Sequence, residues 1–188
     1  TLHDLGFLDE RAFDADGMPR ADPAWTRAVA AVLACAAAVI APSEFIAGTA
    51  RSQLPGVSPV VIAPGIDAAA IAPRVEVPPP TYTAHAPEHV VAVVGAIGPH
   101  KGSGLLAPLA DALAGSDVGI VVIGYTDAQR TPGWSLPGRL WIHGAYEHAT
   151  LPAWLAAYRV QAVLFPNRLP ESFSYTLSET WAGGVPAI

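Results

Sequence analysis

Basic charge is scarce in this chain. Lysine and arginine number ten in 188 residues against 16 aspartates and glutamates, a formal net charge of -6, and the ten are scattered rather than gathered into a patch. Phosphate backbones are held by clustered Lys and Arg, so nucleic acid is excluded as a main partner. Cysteine is scarcer still. Cys35 alone cannot build a disulfide framework, which fits a reducing cytoplasm. Within Ala34-Cys35-Ala36-Ala37 its thiol reads as a small buried apolar group rather than a nucleophile or metal ligand. Long apolar runs are also missing, although 52% of residues are apolar. The stretch from Ala28 to Ala41, bounded by Arg27 and Pro42, falls short of the roughly 20 residues that span a bilayer. No transmembrane segment is expected, which leaves the cytoplasm or the inner face of a membrane as the place of work. The opening Thr1-Leu2-His3-Asp4 carries no signal-peptide pattern.

What is present alternates between helical and strand patterns. After an irregular acidic stretch from Asp9 to Asp22, Asp22-Pro23 reads as N-cap and first helical residue. Trp25, Ala28, Val29, Val32, Leu33 and Ala36 then recur at helical spacing as one apolar face. A short strand at Val39-Ile40-Ala41, a helix capped by Ser43 from Glu44 to Arg51 and a strand at Val60 to Ala63 follow. Prolines 73, 78, 79, 80 and 87 then interrupt any periodicity and mark a semi-rigid linker. Beyond it, strands are expected at His89 to Val94, Val118 to Ile123, Leu140 to His143 and Ala162 to Phe165. Helices are expected from Ser103, from Thr150 as cap to about Arg159, and from about Ser174 to the stop at Gly183-Gly184. Residues 125–138 read as a polar loop, and Trp25, Trp154 and Trp181, at helical positions, read as core. Alternation of this kind belongs to parallel α/β sheets, whose ligands lie at the carboxyl ends of the strands.

The rest of the chain is organised around one stretch at that edge, Pro170-Glu171-Ser172-Phe173-Ser174-Tyr175-Thr176-Leu177-Ser178-Glu179. It joins a strand to a helix start, whose unpaired N–H groups around Ser172, Phe173 and Ser174 suit a phosphate. Glu171 and Glu179 flank that seat, and carboxylates accept hydrogen bonds from hydroxyls. The set suits a ligand made of sugar, diphosphate and ribose. A second loop, Gly95-Ala96-Ile97-Gly98-Pro99-His100-Lys101-Gly102, lies between strand and helix, where glycines admit a phosphate and a lysine supplies a point charge.

Glu171 and Glu179 with seven residues between, Phe173-Ser174 inside and Trp181-Ala182-Gly183-Gly184-Val185-Pro186 behind resemble the E-x7-E signature of retaining GT-B glycosyltransferases, most closely glycosyltransferase family 4. Ile40-Ala41-Pro42-Ser43 and Ala63-Pro64-Gly65-Ile66-Asp67 are similar to two recurrent blocks of that family's first domain, in order and spacing. The glycine loop resembles its G-R-x-x-x-x-K-G element, with Lys101 matching and Ala96 standing where the family has arginine. The resemblance implies two Rossmann-like doubly wound domains, the first largely truncated and the second lacking its last elements. The expected parts are residues 1–73 of the acceptor-side domain, a linker at 74–88 and a nucleotide-sugar-binding domain at 89–188.

The activity so implied is transfer of a sugar from a nucleotide-diphosphate sugar to a carbohydrate or lipid-linked acceptor with retention, in polysaccharide or glycoconjugate synthesis. The family resemblance implies His3 and Glu171 at the donor sugar, Gly98, Lys101, Phe173 and Ser174 at the diphosphate, Glu179 at the ribose and Tyr146 at the base. No metal or other cofactor is expected; His143 and His148 sit apart in a loop without a third ligand. The short chain is expected to be inactive alone and to self-associate through uncovered apolar faces. Two other readings stay open, a nucleotide-sugar epimerase of GT-B type and a non-enzymatic nucleotide-sugar-binding domain. The residues do not identify the donor sugar, the base or the acceptor.

Overall fold

The computed structural model describes residues 2, 5–9, 20–65, 76–78, 87–168 and 171–188. His3, most of the acidic stretch 9–22 and most of the proline-rich segment 74–88 lie outside the described residues. The chain separates into two compact units, one of residues 1–65 with 169–174 and one of 66–168 with 175–188.

In the first unit, helix α1 (Pro23–Leu33) starts where Asp22 accepts hydrogen bonds from the amides of Ala24 and Trp25. Those bonds hold the Asp22 carboxyl below its ordinary range. Strand β1 (Ile40–Ala41) pairs in parallel with β2 (Val60–Val61), and α2 (Glu44–Gln53), capped by Ser43, connects them. Leu2, Leu5, Phe7, Leu8, Ile46 and Leu54 are in its core.

The buried face of α1 is rotated from the expected one and shares only Val29 and Leu33 with it. Thr26 and Ala30 are buried and Val29 and Leu33 pack against the core, while Trp25 and Val32 are 40% and 72% exposed. The alanine-rich sequence offers few polar residues to mark an outer face, so two apolar stripes compete. Thr26 can go inside because its hydroxyl donates to the Asp22 carbonyl at 3.0 Å. Trp25 turns outward and donates its indole N–H to the Gly6 carbonyl at 2.9 Å. Cys35, expected to be buried, is exposed, because the helix ends two residues before it.

The second unit is a five-stranded sheet in the order β5-β6-β4-β3-β7. The strands are β3 (His89–Ile97), β4 (Val118–Thr126), β5 (Gly133–Leu136), β6 (Leu140–Ile142) and β7 (Val160–Val163). All pairs are parallel except β5 with β6, and β3 and β4 pair over their whole length, from His89 with Val118 to Ile97 with Thr126. Val185 to Ile188 continues the sheet beyond β7, where Val163 bridges Ala187 in parallel. Alternate residues of each strand serve two cores. Val93, Ile97, Ile120 and Val122 meet Leu106 and Ala110 of α3 (Ser103–Ala112), and Ala92, Val94, Val121 and Ile123 meet Leu151 and Leu155 of α4 (Leu151–Ala157). Helix α5 (Tyr175–Ala182) packs beside α4.

Three expectations change here. The supposed polar loop 125–138 contains β5, where Trp134 meets Trp141 edge-on at 5.3 Å. A four-residue strand among glycines and prolines leaves too short an alternation to read. Thr150 stands at the N-cap position of α4 as expected but makes no side-chain cap bond; its hydroxyl donates instead to the Glu147 carbonyl at 2.7 Å in a 3-10 turn. Trp181 is 61% exposed, whereas Trp154 packs against the core as expected. Among the described residues no helix is long and apolar enough to cross a membrane.

Candidate functional site

In the second unit the chain order reverses between β3 and β7. From β3 the crossovers run one way, to β4 and β6, and from β7 the other way, to Val185–Ile188. The helices that follow two such strands lie on opposite faces of the sheet, and open α/β sheets take their ligands at the carboxyl ends of the strands there.

The loop leaving β3 is a tight 3-10 turn, in which the amides of Lys101 and Ser103 donate to the Gly98 carbonyl at 2.9 and 3.1 Å. Gly102, at φ +79°, ends the turn and starts α3. A Cβ there would strike the carbonyl oxygen of Pro166, so backbone conformation and space both demand glycine. The amide of Arg168 donates to the His100 carbonyl at 3.2 Å. The loop leaving β7 is thus seated directly on the loop leaving β3. The first turn of α5 is close as well: a methyl placed on Gly95 would lie 3.7 Å from Thr176 Cγ2.

Further along the same edge, the segment after β6 carries two polar clusters. In one, Trp141 Nε1 donates to Tyr158 Oη at 3.1 Å, and Tyr158 Oη meets His143 Nδ1 at 2.9 Å. The indole can only donate, so Tyr158 Oη accepts from it and shares the remaining hydrogen bond with Nδ1 of His143. Trp154 covers the imidazole, centroids 4.1 Å apart, and burial holds His143 below the ordinary imidazole pKa. His143, Tyr146, Glu147, Thr150 and Trp154 line an open groove of about 490 Å³ together with Glu76, Val77 and Pro78.

In the other cluster, Glu179 is 8% exposed and buried on α5. Its Oε1 lies 3.4 Å from Nδ1 of the exposed His148. Its Oε2 is buried with no hydrogen-bond partner among the described residues, and so is Oη of Tyr146. The Tyr146 ring meets the His148 ring edge-on at 5.9 Å. Burial, reinforced by the Glu179 charge, holds the phenol well above its ordinary pKa, so it keeps its proton.

With this geometry in view, solved structures give a match over nearly the whole chain. Anabaena HepE in complex with UDP and glucose superposes with a TM-score of 0.67 at 18% identity, over 99% of this chain and 50% of that one. HepE in complex with UDP-glucose gives 0.67 and 18% over 98% and 51%. Sucrose-phosphate synthase from Thermosynechococcus elongatus gives 0.67 and 22% over 98% and 48%. The fold is that of the GT-B glycosyltransferases. The chain spans about half the length of these structures. No protein-family profile matches it, and no curated protein does.

Within this GT-B frame, the expected site residues are placed as follows. Gly98 and Lys101 lie in the turn after β3 and are half-buried. Glu171, Phe173 and Ser174 are half-buried, immediately precede α5 in the chain and group with the first unit. Glu179 and Tyr146, 33 positions apart, are brought to one cluster through His148, a residue the sequence offered only as a histidine without a metal partner. The Trp141, His143 and Tyr158 network had no sequence signal, because its members sit on a strand, a loop and a helix end. Among the described residues no three His, Cys, Asp or Glu side chains gather as metal ligands.

Proposed function

We propose that the protein is a retaining glycosyltransferase that moves a sugar from a nucleotide-diphosphate sugar to a carbohydrate or lipid-linked acceptor, as the resemblance to family 4 implies. The observation that carries this reading is the buried, unpartnered Oε2 of Glu179 at the sheet's reversal edge, in a fold shared with proteins solved with UDP and UDP-glucose. A buried carboxylate oxygen without a donor is costly, and a ribose hydroxyl would supply one.

In the reaction, the bond from the anomeric carbon to the diphosphate breaks with its electron pair going to the phosphate oxygen, and a bond to the acceptor oxygen forms on the same face. The acceptor hydroxyl's proton ends on the released diphosphate or in solvent. Negative charge grows on the departing phosphate. Lys101, the backbone at Gly98 and the amides of Phe173 and Ser174 ahead of α5 would stabilise it, with no metal required. Glu171 would hold the donor sugar's hydroxyls and His3 would border the sugar at the reaction centre. Tyr146 and the groove beside it would take the base. Both carboxylates belong to the donor side rather than astride a scissile bond, unlike the pair of a hydrolase. The work of such an enzyme lies in polysaccharide or glycoconjugate synthesis, in the cytoplasm or at the inner face of a membrane.

Calorimetry with UDP, GDP, ADP and TDP in the absence of added metal tests the donor site, and at least one should bind. NMR of the product formed by a longer chain that supplies the rest of the acceptor-side domain tests the stereochemistry. No binding by the folded protein would overturn the reading, and an inverted anomeric centre would overturn the retaining assignment.

A further inference from the structure

The two orphaned atoms of the second cluster are complementary. Tyr146 Oη carries a proton to give, and Glu179 Oε2 has lone pairs to fill. They do not bond to each other, yet the Glu179 charge acts on the phenol and both side chains flank the ring of His148. His148 engages only Oε1 and so leaves Oε2 to the buried side. A donor and an acceptor held in one cluster and left unpaired are both satisfied by a single group that accepts and donates at once. A hydroxyl does this. A carbonyl or phosphate oxygen would leave the carboxylate unpaired, and an ammonium would leave the phenol's proton without an acceptor.

We infer that Tyr146 is a specificity-determining residue that reads one ribose hydroxyl jointly with Glu179: the phenol donates to the hydroxyl oxygen while the hydroxyl proton goes to Oε2. The assignment rests on the reading of Glu179 as the ribose ligand. It makes Tyr146 more than the wall of a base pocket. Its ring lines the groove and its hydroxyl is turned inward and buried, so one side chain serves both halves of a nucleoside. A 2′- or 3′-deoxy analogue lacking that hydroxyl leaves a buried phenol and a buried carboxylate unsatisfied. Sites built around a hydroxyl reject its absence far more strongly than apolar pockets reject an extra one.

The test uses UDP, or whichever of GDP and ADP binds more tightly, and its 2′-deoxy and 3′-deoxy forms, titrated into the full chain and its Tyr146→Phe variant. Wild type should bind the ribonucleotide at least tenfold more tightly than one of the deoxy forms. Tyr146→Phe should lose roughly tenfold for the ribonucleotide and nothing for that deoxy form, because phenylalanine keeps the ring and removes only the hydroxyl. Unchanged affinity for the ribonucleotide in Tyr146→Phe, or an equal loss for all three ligands, would overturn the role of Tyr146 while leaving the nucleotide site standing. Failure of the folded wild type to bind any of them would overturn both. Equal near-ultraviolet circular dichroism of the two proteins establishes that both are folded.

Discussion

Two clusters on one sheet edge are built from nearly the same parts and end in opposite states. In the first, Tyr158, His143 and Trp141 close on one another, and the phenol is engaged by both neighbours at 2.9 and 3.1 Å. In the second, Tyr146, His148 and Glu179 leave a phenol and a carboxylate oxygen buried without partners among the described residues. A closed network joins its members to one another through the phenol. An open one withholds such bonds, and the fold carries the desolvation until a ligand arrives. Stability and binding should therefore separate between two histidine–tyrosine groups only a few residues apart.

The largest effect should come from the closed cluster. Tyr158→Phe removes the bonds that Tyr158 Oη makes with the Trp141 indole N–H and with Nδ1 of His143, which should cost about 1–3 kcal/mol in chemical denaturation. Nucleotide affinity should stay unchanged. A matching fall in affinity would break the contrast.

The open cluster should respond the other way. Glu179→Met removes a buried carboxylate whose one contact is with the exposed His148 and whose Oε2 has no partner among the described residues, with little change of volume, so the melting temperature should be equal or higher, while nucleotide affinity falls about tenfold or more. A variant that melts lower and binds as before would make Glu179 a structural residue.

The smallest effect is a pH dependence confined to the closed cluster. His143 is held below the ordinary imidazole pKa of 6.5 by burial, so the unfolded chain binds the proton first. Its contribution to stability is complete above about 6.5 and is lost as pH falls through the lowered folded value. His143→Asn should flatten the slope of melting temperature between pH 7.5 and 5. An unchanged slope in the variant would place the proton uptake elsewhere.

The sequence made the parallel strands from His89 onward legible, because continuous β-branched runs bounded by glycine and proline have few other uses. Caps at Asp22 and Ser43 were legible for an equally local reason, since a short polar side chain just ahead of an apolar run bonds its own helix. Facing was not. The alanines of α1 carry little orientation, and the buried stripe follows Thr26 instead of Trp25 because a threonine can satisfy its hydroxyl within its own helix. Strand β5 escaped because it exists only through its pairing with β6. Glu179 could be singled out as a candidate because its spacing to Glu171 is a sequence property. Its tie to His148 is a tertiary contact between α5 and the turn before α4, which no local pattern encodes.

Gly102 beneath the Pro166 carbonyl has a mechanical meaning besides its steric one. The turn bearing Lys101 and the loop leaving β7 are keyed together there and latched again by the Arg168 amide on the His100 carbonyl. A side chain added at Gly102 would therefore disturb two loops at once, its own turn and the loop leaving β7, so Gly102→Ala should be felt at both ends of that contact.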